Sequence, residues 1–474
     1  MIEPASEKTS VTARPAVTAN RSFLGDLLQS ISERGRELLA KTRARRPLGE
    51  ERAENIVELC EHLLSGRGEA SGVALAAEIL DTYRGLKTGE RIAFFEALAH
   101  SFGPDKARLE LACKAYAENP TDKNADEVLQ AAEPRRQGLI RRLNLAPAAT
   151  RDLVQMREHL LDAMTRRSDL GPVDRDFVHL FGSWFNRGFL VLRRIDWSTP
   201  AIILEKIIRY EAVHEIDSWE DLRARIDPPD RRCYAFFHPA LLDEPLIFVE
   251  VALSQDIPDA IAPILAQPRT PLNPREATTA TFYSISNTQR GLGGVSFGSF
   301  LIKQVAEEIS REFPKLSTFV TLSPVPGFRE WLTRERKSEH SDALKPSDAN
   351  TLARLDDPQW CKDKDAVAAA KALLPVLAAY YFLIARNKRG RPLDPVARFH
   401  LGNGARLERI NPMSDLSEKG IAQSYGVMVN YRYVLDEIEQ NHEAYADAGE
   451  IVTSSAVRKL LRADAKQTAL VTVS

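Results

Sequence analysis

The sequence predicts a two-part chain, in which an all-helical bundle precedes an α/β domain built on a mixed sheet. Up to about residue 180 the apolar residues recur at helical spacing, with no strand pattern between them. Beyond that point short strand-like runs alternate with helical runs, which is typical of an α/β or α+β domain. The length of 474 residues also exceeds what one hydrophobic core usually organises. We therefore expect a disordered leader at 1–20, a helical domain at 21–180 and a mixed-sheet domain at 181–474.

The helical half consists of periodic segments separated by turn-forming residues. In the first segment, Phe23, Leu27, Ile31 and Leu38 lie near one helical face. The same period runs through AENIVELCEHLL, GVALAAEILDTY, RIAFFEALAHSF and TRDLVQMREHLLDAM. Clusters of Gly, Pro, Asp and Asn, such as SGRGEASG and NPTDKNAD, predict the turns between these helices.

The second half introduces runs that favour β-strands. They are RCYAFFHP (232–239), PLIFVEVALS (245–254), TATFYSIS (279–286), STFVTLSP (317–324) and GVMVNYRYV (426–434). Helical runs such as AIILEKIIRYEAV, SFLIKQVAEEISREF and AVAAAKALLPVLAAYYFLIA separate them, and PVARFHLGNGARLERI is grouped with these. Such alternation predicts a sheet with parallel and antiparallel strands covered by helices.

The composition argues against several classes of partner. The formal net charge is −2, so no basic field favours nucleic acid or an anionic membrane surface. The four cysteines are widely spaced without a CxxC motif, which argues against a zinc site and against a disulfide framework. No apolar run appears long enough to cross a bilayer, and the N-terminal segment lacks the apolar core of a secretory signal. We expect a cytoplasmic protein that binds neither nucleic acid nor membrane.

The stretch RGLGGVSFGSF (290–300) permits two interpretations. Its residues 294–298 match G-x-S-x-G, the nucleophile elbow of serine hydrolases, with Ser296 as the nucleophile. An elbow requires the serine directly after a strand, whereas the preceding strand run ends near Ser286 and NTQRGLGGV intervenes. The hydrolase interpretation is therefore disfavoured.

The second interpretation is an anion-binding loop between a strand and a helix. Glycines at 291, 293 and 294 follow TATFYSIS, and the helical run that follows places Leu301, Val305 and Ile309 on one face. Free N–H groups at the start of that helix favour an anion, and Arg290 adds a positive charge. The loop is neither a Walker A motif nor G-x-G-x-x-G. A plain turn with capping glycines remains the alternative.

This loop resembles the R/Q-x-x-G-x-G/A motif with which the acetyltransferase superfamily holds the pyrophosphate of coenzyme A. Residues 290–293 begin the pattern correctly, but Val295 stands where a second Gly or Ala is expected.

Two further stretches carry residues with reactive side chains. In FVTLSPVPGFREWL, prolines stiffen the end of a strand and limit the directions open to the Ser323 hydroxyl. Capping of the following helix is the alternative role for Ser323. In ARFHLGNGARLERINP, His400 precedes glycines at 402 and 404, which permit close approach of a ligand. A structural histidine is the alternative there.

Several long motifs in the same order resemble the malonyl-CoA decarboxylase family. In the second half they are FYSISNTQRGLGGVSFGSFLIKQV, TLSPVPGFREWL, FHLGNGARLERIN and VNYRYVLDEIE. RRLNLAPAATRDLVQMREHLLDAM, WFNRGFLVLRRIDW and RRCYAFFHP extend the likeness into the helical half and the junction.

The resemblance implies a helical domain used for oligomerisation, as a homodimer or homotetramer, and a catalytic domain of acetyltransferase-like (GNAT-like) fold. It implies conversion of malonyl-CoA to acetyl-CoA and CO2 without a metal or organic cofactor, coenzyme A being part of the substrate. Ser323 and His400 match the catalytic serine and histidine of the family, and Ser284 and Tyr433 match supporting polar residues.

The resemblance also implies a set of coenzyme-binding residues. They are Arg290, Gly291, Gly293, Gly294, Val295, Ser296, Phe297, Gly298, Ser299 and Asn403. Animal members of the family carry a glutamate at the position of Ser296, so this chain departs from them there.

Our hypothesis is that Ser323 and His400 form a hydrogen-bonded dyad in which His400 donates the proton. Tyr433 and Ser284 would orient the malonyl carboxylate. One alternative is a covalent route in which Ser323 takes the acyl group. The alternative functions are a coenzyme A-dependent acyltransferase that uses the same loop, and a non-catalytic partner protein.

Overall fold

A computed structural model of the chain describes residues 33–34, 52–66, 68–241, 243–295, 297, 301–463 and 471–473. The expected leader at 1–20 lies outside them. The chain divides into two compact units, one that ends at Phe181 and one that begins at Gly182.

The first unit is helical throughout its described residues. Its helices are α1 (Arg52–Leu64), α2 (Glu69–Arg84), α3 (Thr88–His100), α4 (Lys106–Glu118), α5 (Asp122–Ala132), α6 (Arg135–Leu143), α7 (Ala149–Met164) and α8 (Gly171–Trp184), the last of which runs across the division.

A side-chain cap explains where α4 begins, and aromatic packing helps to hold the bundle together. The Asp105 side chain accepts the N–H of Arg108 at the start of α4, which satisfies a backbone donor that lacks a partner within the helix. In the core, Tyr83 packs against Phe94 and Phe95, with ring centroids 5.6 and 6.2 Å away. Burial of these large rings supplies much of the hydrophobic stabilisation of the bundle.

The second unit is built on one sheet. Its strands are β1 (Val191–Ile195), β2 (Arg231–Phe237), β3 (Pro245–Ser254), β4 (Thr279–Asn287), β5 (Thr318–Thr321), β6 (Ser323–Pro324), β7 (Arg406–Asn411), β8 (Met428–Tyr433), β9 (Ile451–Thr453) and β10 (Val471–Val473). The spatial order is β1-β2-β3-β4-β5-β8-β7-β9-β10, with β6 also paired to β8. β4–β5, β7–β9 and β9–β10 are parallel, whereas the other pairs are antiparallel.

Helices connect these strands. They are α9 (Ala201–Tyr210), α10 (Trp219–Ile226), α11 (Ala262–Leu265), α12 (Leu301–Glu312), α13 (Phe328–Lys337), α14 (Ala349–Arg354), α15 (Lys364–Leu383), α16 (Pro395–Gly402), α17 (Glu418–Ser424), α18 (Ile438–Ala448) and α19 (Ser455–Leu460). The helical first unit and the mixed sheet of the second confirm the predicted fold class.

The apolar helix α15 corrects one expectation. By length and composition Lys364–Leu383 could cross a membrane, contrary to the expectation that no run was long enough. More than half of its apolar window is buried inside the protein, as in a core helix. Its apolar residues therefore contribute to the core of the second unit.

The parallel pair β4–β5 separates partway along its length. The two strands are in register from Thr279↔Thr318 to Phe282↔Thr321. One further hydrogen bond follows, from Leu322 N–H to the carbonyl of Phe282. β4 then continues to Asn287, while the other chain continues into β6. Polar residues of both chains therefore lie beyond the segment in which β4 and β5 are paired.

The ladder between β8 and the β5–β6 segment is interrupted at Thr321. There the N–H of Tyr431 donates to Thr321 Oγ1 at 3.1 Å, and Asn430 Nδ2 donates to the Thr321 carbonyl at 2.7 Å. Pairing resumes at Ser323↔Val429. Side chains thus replace backbone partners immediately before Ser323.

Candidate active site

Ser323 and His400 lie in hydrogen-bond contact, although 77 positions separate them in the chain. The distance from Ser323 Oγ to His400 Nε2 is 3.2 Å. Both side chains are buried, with relative exposures of 5% and 3%. β6 supplies the serine and α16 supplies the histidine, so the pair forms only when the helix packs beside the sheet.

The start of α16 is stabilised by its capping residue. Asp394 Oδ1 accepts the N–H of Ala397 at 2.7 Å, and Pro395 occupies the first helical turn, where its missing N–H costs nothing. Asp394 is almost fully buried, and this burial raises the pKa of its carboxyl to about 6.

The end of α16 requires glycine. Gly404 has a φ of +80°, and a Cβ on it would lie 2.1 Å from the carbonyl oxygen of Ile438. Only glycine permits this left-handed conformation together with such a close approach. The helix therefore stops just after His400, which keeps the imidazole close to the end of β6.

Tyr433 and Tyr431 hold the imidazole from the other side. The Tyr433 hydroxyl lies 2.8 Å from His400 Nδ1. The ring of Tyr431 stacks on the imidazole, with centroids 4.6 Å apart and planes 24° apart. Both tyrosines come from β8, so the ring orientation is set by one strand.

Burial determines the charge of His400. It lowers the pKa of the imidazole from 6.5 to about 3, because the charged form would lose its hydration. Burial also raises the pKa of Tyr433 well above its ordinary value, so its hydroxyl stays protonated. The free protein therefore presents a neutral imidazole with a single N–H.

Ser284 makes a different set of contacts. Its hydroxyl donates to the Glu211 carboxylate at 2.7 and 2.8 Å and lies 3.3 Å from Ser286 Oγ. No hydrogen bond joins it to Ser323 or His400 among the described residues. Since its proton is directed to Glu211, Ser284 has only lone pairs to offer another group in this arrangement.

Glu211, the partner of Ser284, is a residue that the sequence interpretation missed. Directly after α9, it accepts the N–H groups of Val213 and His214 at 2.7 and 2.8 Å, as well as the hydroxyls of Ser284 and Ser286. A single glutamate after a helix matches no recognisable motif. The sequence alone therefore does not indicate the role of Glu211. Thr321, Asn430 and Tyr431 escaped notice for the same reason.

The glycine-rich loop is compact in its described part. Residues 290–292 form a 3-10 turn, in which the N–H of Gly293 donates to the Arg290 carbonyl at 3.0 Å. The N–H of Val295 donates to the Leu292 carbonyl at 3.0 Å. Gly294 has a φ of +76°, which explains the requirement for glycine there.

The described residues include only part of the predicted loop. Ser296, Gly298 and Ser299 lie outside the described residues, whereas Phe297 is described and half-buried. Gly291 is buried within the turn, and α12 begins at Leu301.

Asn403 caps α16 instead of presenting a free amide. Its Nδ2 donates to the Phe399 carbonyl at 2.7 Å, and its backbone N–H reaches the end of the same helix. Among the described residues no group of three or more His, Cys, Asp or Glu side chains is placed to hold a metal ion.

Both halves of the chain match the same family. The family model of the malonyl-CoA decarboxylase C-terminal domain matches residues 188–471, and that of the N-terminal domain matches residues 102–185. The mitochondrial malonyl-CoA decarboxylase of the goose Anser anser anser is 37% identical over 416 residues, which cover 81% of this chain and 82% of that protein.

Solved structures give the same result. The crystal structure of malonyl-CoA decarboxylase from Rhodopseudomonas palustris is 58% identical with a TM-score of 0.84, over 87% of this chain and 100% of that chain. The corresponding structure from Agrobacterium vitis is 56% identical with a TM-score of 0.81, over 86% and 99%. Sequence and structure together show that the chain belongs to the malonyl-CoA decarboxylase family.

Proposed function

We propose that this protein converts malonyl-CoA to acetyl-CoA and CO2, with Ser323 and His400 as its catalytic residues. The assignment of these residues rests on the buried contact of 3.2 Å between Ser323 Oγ and His400 Nε2. This contact lies close to the point where β4 and β5 separate. Membership of the family supplies the substrate and the reaction.

The reaction itself limits what the protein must provide. When the C–C bond to the carboxylate breaks, its electron pair moves into the thioester and leaves an enolate, and CO2 departs. A proton then adds to the carbon, and solvent replaces that proton in the site. Holding the carboxylate perpendicular to the thioester plane is worth several kcal/mol of the barrier. A hydrogen-bond donor placed at the developing oxyanion adds about 3 kcal/mol.

The side chains around Ser323 suit these tasks. The Ser323 hydroxyl is a donor for the thioester oxygen, and the buried surroundings of the pair strengthen such a hydrogen bond. His400 supports Ser323 and takes part in delivering the proton to carbon. Tyr433 holds His400 by a hydrogen bond. Ser284 and Glu211 form a hydrogen bond in the part of β4 that extends beyond its ladder with β5.

We assign the coenzyme to the loop at 290–299. The strand–loop–helix order of β4 and α12, the glycine at 294 and the positive charge of Arg290 support this assignment. Asn403 is also assigned to coenzyme binding, at the end of the helix that its side-chain amide caps. The thioester is its own electron sink, so the proposed chemistry requires neither a resident metal nor an organic cofactor.

We also propose that the helical domain at 21–180 joins copies of the chain into a dimer or tetramer in the cytoplasm, while 181–474 carries catalysis. Leu111 on α4 and Leu129 on α5 are 70% and 72% exposed, which leaves apolar surface suited to a second copy.

The decisive experiment supplies purified protein with malonyl-CoA and no acceptor, and measures acetyl-CoA and released CO2. We expect turnover that falls about a hundredfold or more in Ser323→Ala and His400→Gln. His340→Gln is the matched control, because His340 is exposed. Turnover near that of the wild type in both active-site variants would contradict the assignment.

The same assay separates the alternatives. An acyltransferase requires an added amine and releases no gas, and a non-catalytic protein shows no turnover and no thermal stabilisation by coenzyme A thioesters. Mass spectrometry after a single turnover tests the covalent route, which predicts an acyl group on Ser323.

A further inference from the structure

The hydrogen bonds at the two ends of the His400 imidazole determine which ring nitrogen carries its proton. A neutral imidazole has one donor nitrogen and one acceptor nitrogen, and its neighbours decide which is which. Nδ1 faces the hydroxyl of Tyr433 at 2.8 Å, and Nε2 faces Ser323 Oγ at 3.2 Å. Both neighbours are hydroxyls, so each can donate or accept.

The Ser323 end favours a proton on Nε2. Ser323 Oγ donates its single proton to Thr321 Oγ1 at 2.8 Å. Thr321 Oγ1 is itself fixed, because it also accepts the N–H of Tyr431 at the interruption of the sheet. With its proton used in this way, Ser323 can only accept from His400, and therefore Nε2 must be the donor.

The Tyr433 end leads independently to the same tautomer. The Tyr433 hydroxyl is fully buried, and within the described residues its hydrogen-bond contact is His400 Nδ1. If Nδ1 carried the proton, the phenol proton would be buried without an acceptor, at a cost of about 1–3 kcal/mol. The phenol therefore donates to Nδ1, which leaves the ring proton on Nε2.

We propose that Thr321 and Tyr433 are positioning residues that hold His400 as its Nε2–H tautomer, so that the dyad acts as a hydrogen-bond donor and Ser323 is not activated as a nucleophile. This inference rests on the proposed function. A catalytic triad shows the opposite arrangement, in which a carboxylate accepts from Nδ1–H and Nε2 takes the serine proton. Among the described residues no carboxylate is paired with His400.

In this arrangement Ser323 donates to the substrate, and His400 donates to Ser323. In the free protein the Ser323 proton is directed to Thr321, and on binding it can turn to the thioester oxygen while Nε2–H continues to donate to Ser323 Oγ. Both hydrogen bonds then stabilise the enolate oxygen. Thr321 acts through Ser323, so its effect should appear in the chemical step more than in substrate binding.

The test removes the acceptor for the serine proton. In Thr321→Val the Ser323 proton loses its acceptor, and Tyr433 alone then holds the ring proton on Nε2. We expect part of the population to shift to the other tautomer, in which Ser323 donates to Nε2 and Nδ1–H donates to the Tyr433 oxygen. We expect kcat for malonyl-CoA to fall about tenfold or more while KM changes little. We also expect the rate at which a fluorophosphonate labels Ser323 to rise about tenfold.

Two further variants separate positioning from structural damage. Thr321→Ser restores the hydroxyl and should recover both kcat and the low labelling rate. Thr281→Val is the matched control, because Thr281 is also fully buried in the sheet and its Oγ1 has no hydrogen-bond partner among the described residues. It should leave both measurements unchanged.

Several results would overturn the inference. They are wild-type kcat and labelling in Thr321→Val, equal losses in Thr321→Val and Thr281→Val, or failure of Thr321→Ser to recover. Imidazole ¹⁵N spectra of the wild type, assigned with His400→Gln, add a test that needs no Thr321 variant. A proton on Nδ1 would refute the proposal. Labelling and spectra use no coenzyme A thioester, so they judge the tautomer even if malonyl-CoA is not decarboxylated.

Discussion

Replacement of Glu211 tests whether its carboxylate organises the polar part of β4. In Glu211→Ala, four groups lose their acceptor: the N–H groups of Val213 and His214 and the hydroxyls of Ser284 and Ser286. Glu211→Gln is the comparison variant, because it keeps one oxygen for the two N–H groups. Its new NH2 can donate to the serine oxygens.

The magnitude follows from these contacts. A buried donor without an acceptor costs about 1–3 kcal/mol. Ser284 and Ser286 can still bond each other across their 3.3 Å separation, which offsets part of the loss. Repulsion between Glu211 and Glu250 offsets little more at neutral pH, because burial is the chief cause that raises the pKa of Glu250 to about 8 and its carboxyl is then mostly protonated. We expect Glu211→Ala to lower the free energy of unfolding by about 3 kcal/mol and Glu211→Gln by about 1 kcal/mol.

Urea unfolding at neutral pH measures both values, and steady-state kinetics with malonyl-CoA measures the effect on the site. We expect kcat/KM to fall in Glu211→Ala together with the stability, and to stay closer to wild type in Glu211→Gln. A loss below about 1 kcal/mol in Glu211→Ala would refute the reasoning. Equal losses in the two variants would also do so, because the hydrogen bonds would then not be the source of the effect.

Further outcomes are expected at Ser296, His400 and Gly404. Ser296→Ala should keep substantial turnover, measured as acetyl-CoA formation; complete loss with normal coenzyme binding would revive the nucleophile elbow. Because burial lowers the pKa of His400 from 6.5 to about 3, kcat/KM should show no acid limb near pH 6.5 from this residue. The unfolded chain takes up that proton near pH 6.5 while the folded chain does not, so the free energy of unfolding should fall as pH drops from 6.5 towards 3, with a shallower slope in His400→Gln. Gly404→Ala should destabilise the chain by about 4 kcal/mol or more in urea unfolding, because its Cβ would lie 2.1 Å from the Ile438 carbonyl oxygen. Gly390→Ala, which has a similar φ of +73° but open space around its Cβ, should cost only about 1–2 kcal/mol, and equal costs would contradict the steric explanation.

Periodicity predicted most of the fold. All five strand runs of the second half coincide with strands; the run at 245–254 has the same bounds as β3, and the run at 317–324 includes both β5 and β6. These runs are buried and rich in β-branched and aromatic residues, so their pattern is strong.

Four strands were missed: β1, β7 and the short strands β9 and β10. The patterns of β1 and β7 are weak for identifiable reasons. β1 (Val191–Ile195) is an edge strand with most of its residues exposed or half-exposed, so no apolar alternation marks it. β7 (Arg406–Asn411) was grouped with a helical run. A register shift between Leu407 and Arg409 breaks the period of two by which it could have been recognised.

Some residues of the candidate site could be predicted from the sequence, and others could not. Family motifs identified Ser323, His400 and Tyr433, and the fold brings these three into hydrogen-bond contact. The same motifs selected Ser284, whose partner Glu211 could not be foreseen, because side chains 73 positions apart meet only through packing of α9 against the sheet.

By itself the sequence determined the two-part architecture, the family and the residues that carry reactive groups, because periodicity and ordered motifs are properties of the chain. Only the tertiary structure decided how those groups are used. Thr321 beside Ser323 and Tyr433 beside His400 determine the directions of the hydroxyl protons, and burial removes the charge of the imidazole. Proton positions and pKa values depend on neighbours in space and on exclusion of water, and neither is encoded in local sequence.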